Sequence, residues 1–155
     1  MPGGRLTRYL VAGLAGTAAH LVLMYLKDRF GLLPQFQPYQ EFQRGVSMLT
    51  GGEAPVWLAW LLGFLNGAVV WSFVFGRLYR VMPGRTPLRK GLFFGLVAWT
   101  ISGLVFFPAM GRGPFDLALG LGLAPAALML GMLCVYSLTL SFAYAALAGR
   151  DAARP

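Results

Sequence analysis

Charged side chains are scarce in this chain of 155 residues. Asp, Glu, Lys and Arg make up 12% of it, against about a quarter in ordinary soluble domains. Hydrophobic residues make up 57%, and the mean hydropathy is +0.65. A soluble globule this apolar could not cover its surface with polar side chains, and a disordered chain would be less apolar. The composition therefore indicates a membrane protein.

Histidine and cysteine are nearly absent, since the chain has only His20 and Cys134. One cysteine cannot build a disulfide framework within the chain. His20 and Cys134 together are also fewer than the three or four protein ligands that a zinc site usually has. No paired carboxylates suit acid–base catalysis. We therefore expect no enzymatic activity and no cofactor. The net charge is +8, but the charges flank apolar runs rather than line a groove, so we expect no nucleic-acid partner.

Long apolar runs are abundant instead. A hydrocarbon core about 30 Å thick needs roughly 20 apolar residues in a helix. The four runs that meet this length cover about residues 6–26, 55–78, 87–107 and 125–147. Thr86 is a predicted N-cap before Pro87 at the first helical position. The sequence predicts an all-α bundle of four transmembrane helices that forms a single membrane domain over residues 1–155.

A cleaved signal peptide is the alternative interpretation of the first run, because Arg5 and Arg8 precede it. The run is long, however, and it ends in Lys27-Asp28-Arg29 rather than at small residues. This ending favours a retained span.

Lys and Arg are unequally divided between the two sides that four spans create. Nine lie on the side of the termini, namely Arg5, Arg8, Arg77, Arg80, Arg85, Arg89, Lys90, Arg150 and Arg154. Four lie on the other side, namely Lys27, Arg29, Arg44 and Arg112. The positive-inside rule predicts a multi-pass inner-membrane protein with both termini in the cytoplasm. Arg85, Arg89 and Lys90 either provide only this topology signal or also bind anionic lipids.

The connection between the first two spans has its own apolar periodicity. Tyr39, Phe42, Val46 and Leu49 recur at helical spacing, with polar residues between them. This pattern predicts a short amphipathic helix. We expect this helix to lie on the outer membrane surface, over the mouth of the bundle, or against a partner subunit.

Small residues recur at four-residue spacing in the spans, including the pairs Gly63 with Gly67 and Gly91 with Gly95. Such spacing lets membrane helices approach closely, so we expect tight packing within the chain or against partners. In addition, Leu62-Gly63-Phe64-Leu65 aligns with Leu130-Gly131-Met132-Leu133. This short match leaves open whether the two helix pairs are related by duplication.

Polar residues at mid-span are the candidate functional residues, because they are costly in lipid. His20, Asn66, Ser102 and Ser137 fall at comparable depth. We expect them to form one polar layer, in which neutral His20 bonds Asn66 or Ser102. The layer either binds a small solute, a quinone head group or a proton, or fixes the register of the helices by hydrogen bonds.

From the second span onward the chain resembles a family of small, uncharacterised four-helix membrane proteins found in bacteria and archaea. The likeness covers about two thirds of the chain and rests on Gly-rich motifs. They are Gly63-Phe64-Leu65-Asn66-Gly67, Gly91 to Gly95 with Trp99, Phe107 to Phe115, and Gly131 to Tyr144. The resemblance implies the four-helix fold and carries no activity with it.

Two functions fit these observations better than a third, an enzyme acting on a lipid at the cytoplasmic face, which would lack a charged catalytic set. We expect a non-catalytic accessory or scaffold subunit of a larger membrane complex, such as an electron-transfer assembly, in contact with the lipid bilayer and with other membrane subunits or further copies of itself. The alternative is a small oligomeric transporter or channel whose site is the polar layer. A filled bundle favours the first function, whereas a path that reaches Asn66 favours the second.

Overall fold

The computed structural model describes the backbone of residues 2–152 and the side chains of residues 6–149. It is 80% helical and has no strand in that range. The α-helices are α1 (Pro2–Arg29), α2 (Pro38–Thr50), α3 (Val56–Leu65), α4 (Ser72–Leu78), α5 (Pro87–Ile101), α6 (Phe107–Ala109) and α7 (Ala124–Ala152). The π-helical segments are π1 (Asn66–Trp71), between α3 and α4, and π2 (Ser102–Phe106), between α5 and α6. A 3-10 helix covers Pro114–Leu119.

Four helical stretches among the described residues are long and apolar enough to cross a membrane, which confirms the predicted fold class. They are span 1 (Leu6–Arg29), span 2 (Val56–Leu78), span 3 (Pro87–Ala109) and span 4 (Ala124–Gly149). The predicted N-cap is also confirmed, since the Thr86 hydroxyl accepts the backbone N–H of Arg89 at 3.4 Å. Span 1 runs past its predicted end at Leu26, because Lys27 is buried and pairs with Asp28 instead of ending the helix in water.

The spans surround a common interior. Span 4 packs along spans 1 and 3, and span 1 also packs along span 2. Ring contacts close the remaining side, because Trp71 and Phe75 of span 2 meet Phe94 of span 3 at centroid distances of 5.7 and 5.1 Å. We call the end with residues 79–86 the terminal side and the end with α2 the α2 side.

Spans 3 and 4 approach each other at Gly91 and Gly95. A Cβ on Gly91 would lie 3.0 Å from the carbonyl oxygen of Ser137. A Cβ on Gly95 would lie 3.2 Å from the Cα of Cys134. Both distances are tighter than ordinary van der Waals contact, so these predicted packing glycines lie at a contact within the chain.

The glycines of span 2 face two different elements. A Cβ on Gly67 would lie 2.9 Å from Thr17 Oγ1 of span 1, and one on Gly63 would lie 2.7 Å from the ring of Tyr39 in α2. Gly131, which aligns with Gly63 in the duplication hypothesis, has open space around it among the described residues. The two glycines therefore have different packing roles, and the duplication stays a hypothesis.

The terminal-side half of the bundle is filled by side chains. The core cluster there consists of Ala12, Phe75, Met82, Phe94, Tyr136 and Leu140. Each of these residues is 6% exposed or less. The interior of the bundle is thus densely packed toward the terminal side.

Lys90 lies at the edge of this core and is buried. Its Nζ donates to the carbonyl oxygen of Tyr79 and lies 4.1 Å from the centroid of that ring. Of the three cations predicted to meet anionic lipids, Arg85 and Arg89 are the ones exposed. The side chains of Arg5 and Arg150, and all of Arg154, lie outside the described residues.

Gly13 and Gly131 are a matched pair for testing the packing. A Cβ on Gly13 would overlap the carbonyl oxygen of Ala68 and the side chain of Ser72, whereas one on Gly131 would meet no described heavy atom within 4 Å. We expect Gly13→Ala to destabilise the protein by about 1–3 kcal/mol through overpacking. Gly131→Ala should be neutral or stabilise the helix by up to about 1 kcal/mol. Thermal unfolding in detergent, followed by circular dichroism, measures both, and equal melting temperatures would contradict the packing described.

Candidate functional site

A cavity of about 170 Å³ lies inside the bundle. Its wall is formed by residues of spans 1 to 4 and of α2: Thr17, His20, Pro38, Tyr39, Phe42, Gly63, Asn66, Gly67, Trp71, Ala98, Ser102, Phe106, Met129, Leu133 and Tyr136. Asn66 lies ten residues from the α2-side end of span 2, which is roughly 15 Å at 1.5 Å per residue. The cavity therefore extends from α2 to about the middle of span 2.

Span 1 contributes two polar side chains to the wall. Thr17 and His20 are three residues apart, so they lie on the same face of the helix. Thr17 is only 3% exposed, and its Oγ1 and His20 Nδ1 are buried without a hydrogen-bond partner among the described residues. Buried polar atoms are nearly always hydrogen-bonded in folded proteins. Two on one helix face, beside a cavity, point to a site that takes a polar group.

Asn66 and Ser102 enter the wall from spans 2 and 3, and each begins a π-helical segment. A π turn inserts one extra residue into an α-helix, and such turns are frequent at functional sites. No sequence pattern marked these segments. The structure thus joins three of the predicted polar residues, His20, Asn66 and Ser102, around one cavity.

Ser137 does not line this cavity, so the expected polar layer is wrong in this residue. It is fully buried against span 3, with its Cβ 3.4 Å from where a Cβ on Gly95 would lie. The reason is helical geometry, because successive residues point about 100° apart and its neighbour Tyr136 faces the cavity. The expected bond from His20 to Asn66 or Ser102 is also not formed by Nδ1, which has no partner in the described part of the chain.

Tyr136 is a wall residue that the sequence reasoning missed. Its hydroxyl donates to the carbonyl oxygen of Gly67 at 2.6 Å and so links span 4 to span 2. Its ring lies edge-on to His20 at 6.5 Å and belongs to the terminal-side core. The available signal was a tyrosine at mid-span, whose hydroxyl needs a partner when it is buried. Tyr136 closes the cavity on the terminal side.

Helix α2 covers the cavity from the other side. Its Tyr39 ring stacks on Trp60 of span 2 at 4.1 Å, and its Phe42 ring lies 6.2 Å from Phe106 of span 3. Burial raises the pKa of the Tyr39 hydroxyl. The helix therefore lies over the mouth of the bundle, which is one of its three predicted positions.

Ion pairs tie α2 to the connection between spans 3 and 4. Arg112 lies 2.9 Å from Asp116 and 3.5 Å from Glu41 of α2, and Arg44 pairs with Glu41 at 2.9 Å. Glu41 and Asp116 are buried, and burial raises the pKa of the Asp116 carboxyl while Arg112 opposes the shift. The cluster was missed because its partners are far apart in sequence, although Arg112 and Asp116 were an available i,i+4 pair.

Backbone strain marks the same connection. Phe115 and Asp116 have φ values of 53° and 62°. These values lie in the left-handed region, which residues other than glycine rarely adopt. This conformation places the Phe115 ring 4.5 Å from that of Trp99 and against Gly103. The connection is thereby seated on span 3, with Asp116 beside Arg112.

The wall of the cavity suits the binding of a molecule rather than of a metal ion. Among the described residues there is no group of three His, Cys, Asp or Glu side chains that could hold a metal. The polar atoms at hand are hydroxyls, one amide and one imidazole, surrounded by aromatic and aliphatic side chains. Such a wall can make a few hydrogen bonds and otherwise offers apolar contact.

The fold and the cavity define an all-helical, multi-pass membrane protein. The chain belongs to a family of unknown function, DUF6789, whose family model matches residues 5–154. This match agrees with the resemblance to an uncharacterised family and extends it over nearly the whole chain. No curated protein and no solved structure matches the chain.

The ion pairs predict a difference between two arginines. Arg112→Met leaves Glu41 and Asp116 buried without their shared partner, which should weaken the docking of α2 by about 3 kcal/mol. Arg44→Met removes a side chain that is 53% exposed, and its cost should stay below about 1 kcal/mol. Hydrogen exchange of the amides of residues 38–50, read by mass spectrometry, should accelerate in the first variant only. Equal exchange in the two variants would show that the cluster does not hold α2.

Proposed function

We propose that this protein binds one small, uncharged molecule inside the membrane and is not an enzyme. The cavity carries the proposal, because it is bounded by all four spans and α2 and holds the unpartnered atoms Thr17 Oγ1 and His20 Nδ1. Ligand sites are typically concave and mostly apolar, with a few placed polar groups.

The residues of the cavity wall indicate that the ligand carries no charge. No Asp, Glu, Lys or Arg is among the described residues that line the cavity. A charged ligand there would lack an opposite charge, and an unpaired ion inside a membrane protein is costly. This supports a ligand that is neutral when bound.

The same wall supports binding without catalysis. A catalytic histidine works with a second group within hydrogen-bond reach of the reacting atoms. The other titratable wall residues are Tyr39 and Tyr136, and the Tyr136 hydroxyl already donates a hydrogen bond to the Gly67 carbonyl oxygen. The described wall also holds no carboxylate that could orient His20, which supports binding over catalysis.

The filled terminal-side core favours a binding site over a continuous channel. Phe75, Phe94 and Leu140 are each 2% exposed or less and lie on that side of the cavity. Transport by a small oligomer is the alternative function, and it requires that this core open to let a solute pass.

A second role, as an accessory subunit of a larger membrane complex or in a homo-oligomer, is favoured by a separate observation. Ala127 and Gly131 lie one turn apart on an exposed face of span 4, and Gly131 meets no described heavy atom within 4 Å. Small residues spaced in this way let a helix from another subunit approach closely. Loss of the native assembly in Gly131→Leu would support this role, and an unchanged assembly would count against it.

We further propose that the membrane is the inner membrane and that both termini face the cytoplasm. The exposed Arg77, Arg80, Arg85 and Arg89 lie on the terminal side, as the positive-inside rule requires of a cytoplasmic face. On this proposal the exposed Arg85 and Arg89 meet anionic lipids at that face. Labelling of Arg85→Cys only from the outside of intact cells would contradict this orientation.

A bulky side chain in the cavity should abolish ligand binding, and span 3 offers a matched pair of positions to test this. Ser102→Phe places a ring in the wall, whereas Thr100→Phe places the same ring outside it on the same span. With toluene as a small uncharged probe, we expect the Met129 methyl resonance in the cavity wall to shift in the wild type and in Thr100→Phe. It should not shift in Ser102→Phe, because the probe is displaced. The measurement is a titration in lipid nanodiscs, followed by methyl NMR of labelled methionine.

A response of Ser102→Phe equal to that of the wild type would contradict binding in this cavity. Circular dichroism of both variants provides the control for folding. Met48, which is 60% exposed on α2, reports any shift that comes from toluene dissolved in the lipid.

A further inference from the structure

We propose that the cavity selects an uncharged single-ring molecule that carries a hydroxyl group, and that Thr17 and His20 hold this oxygen. The inference rests on the proposed binding function and names the class of ligand. It follows from three features of the cavity, namely its volume, the rings around it, and the spacing of its two unpartnered polar atoms.

The volume sets the size of the ligand. The cavity measures about 170 Å³, and an apolar protein cavity of about 150 Å³ takes up one benzene molecule. One six-membered ring with a small substituent therefore fits. A second fused ring would exceed this volume and extend beyond it.

Aromatic side chains set the shape. Tyr39, Phe42, Trp71, Phe106 and Tyr136 contribute rings to the wall from four different elements. Aromatic pairs gain beyond area burial when they meet edge-to-face or offset. A flat ring can meet several of these partners at once, whereas a flexible aliphatic chain gains area burial alone.

The polar atoms set the functional group. Thr17 Oγ1 and His20 Nδ1 are both buried and unpartnered within the described part of the chain, and they lie one turn apart on span 1. A hydroxyl both donates and accepts a hydrogen bond. It can accept from the Thr17 hydroxyl and donate to Nδ1 of a neutral His20 whose proton is on Nε2. One hydroxyl group thus satisfies both atoms, which a methyl group cannot do.

Phenol and toluene test this class directly, because they share a shape and differ by a hydroxyl in place of a methyl. Toluene leaves two buried polar atoms unpaired, at about 1–3 kcal/mol for each such group. We therefore expect phenol to bind at least about tenfold more tightly than toluene, since tenfold corresponds to about 1.4 kcal/mol. The full-length protein in lipid nanodiscs is titrated with each probe, and the Met129 methyl resonance reports occupancy of the cavity.

Thr17→Val is the decisive variant, since valine keeps the shape of threonine and removes the hydroxyl. Phenol affinity should fall about tenfold toward that of toluene, while toluene affinity stays the same. Thr100→Val is the control, because Thr100 lies outside the wall and its hydroxyl donates to the Leu96 carbonyl within its own helix. If Thr17→Val does not fold, His20→Leu repeats the test from the second polar atom.

The outcomes separate the two proposals. Equal affinities of phenol and toluene in the wild type, or an unchanged preference in Thr17→Val, would overturn the ligand class and leave binding in the cavity intact. A Met129 resonance that responds to neither probe would overturn the binding function and this inference together. Met82 in the terminal-side core should stay unshifted throughout, and a parallel shift there would assign the response to general loosening and overturn the site.

Discussion

The close approach of helices at glycine is the constraint on which this structure depends. Lipid tails are as apolar as the spans, so burial of apolar area does not by itself drive helices together in a membrane. Contact is made where a side chain is missing, at Gly91 and Gly95 between spans 3 and 4 and at Gly13 and Gly67 between spans 1 and 2. These contacts fix the distances between spans, and a space remains between them at mid-depth.

Three features maintain that space and give it chemical character. The π-helical segments that begin at Asn66 and Ser102 change the register of spans 2 and 3 at the wall of the cavity. On the terminal side the Tyr136 hydroxyl ties span 4 to span 2, and on the α2 side the buried carboxylate of Glu41 ties α2 to Arg112. Hydrogen bonds and ion pairs thus hold the elements at the two ends of the cavity, and aromatic rings line its sides.

The fold could be predicted from the sequence because its determinants are local. Run length and charge placed the four spans, and Thr86 before Pro87 placed a helix start that the structure confirms. The residues of the candidate site could be predicted from the sequence only in part. Depth along a helix was enough to select Asn66 and Ser102, which the structure places in the cavity wall. The direction in which a side chain points depends on packing, so the sequence pointed to Ser137 where Tyr136 lies in the wall. The π-helical segments and the pairing of Glu41 with Arg112 depend on contacts between distant parts of the chain, which no single stretch of sequence encodes.

A largely apolar cavity between the spans should bind xenon. Xenon enters apolar cavities of this size in proteins, and its anomalous scattering locates it in crystals exposed to the gas. We expect a xenon atom between Asn66, Ser102 and Tyr136, which line the cavity. Electron density in which these side chains touch one another, with xenon bound only at the lipid-facing surface, would contradict it.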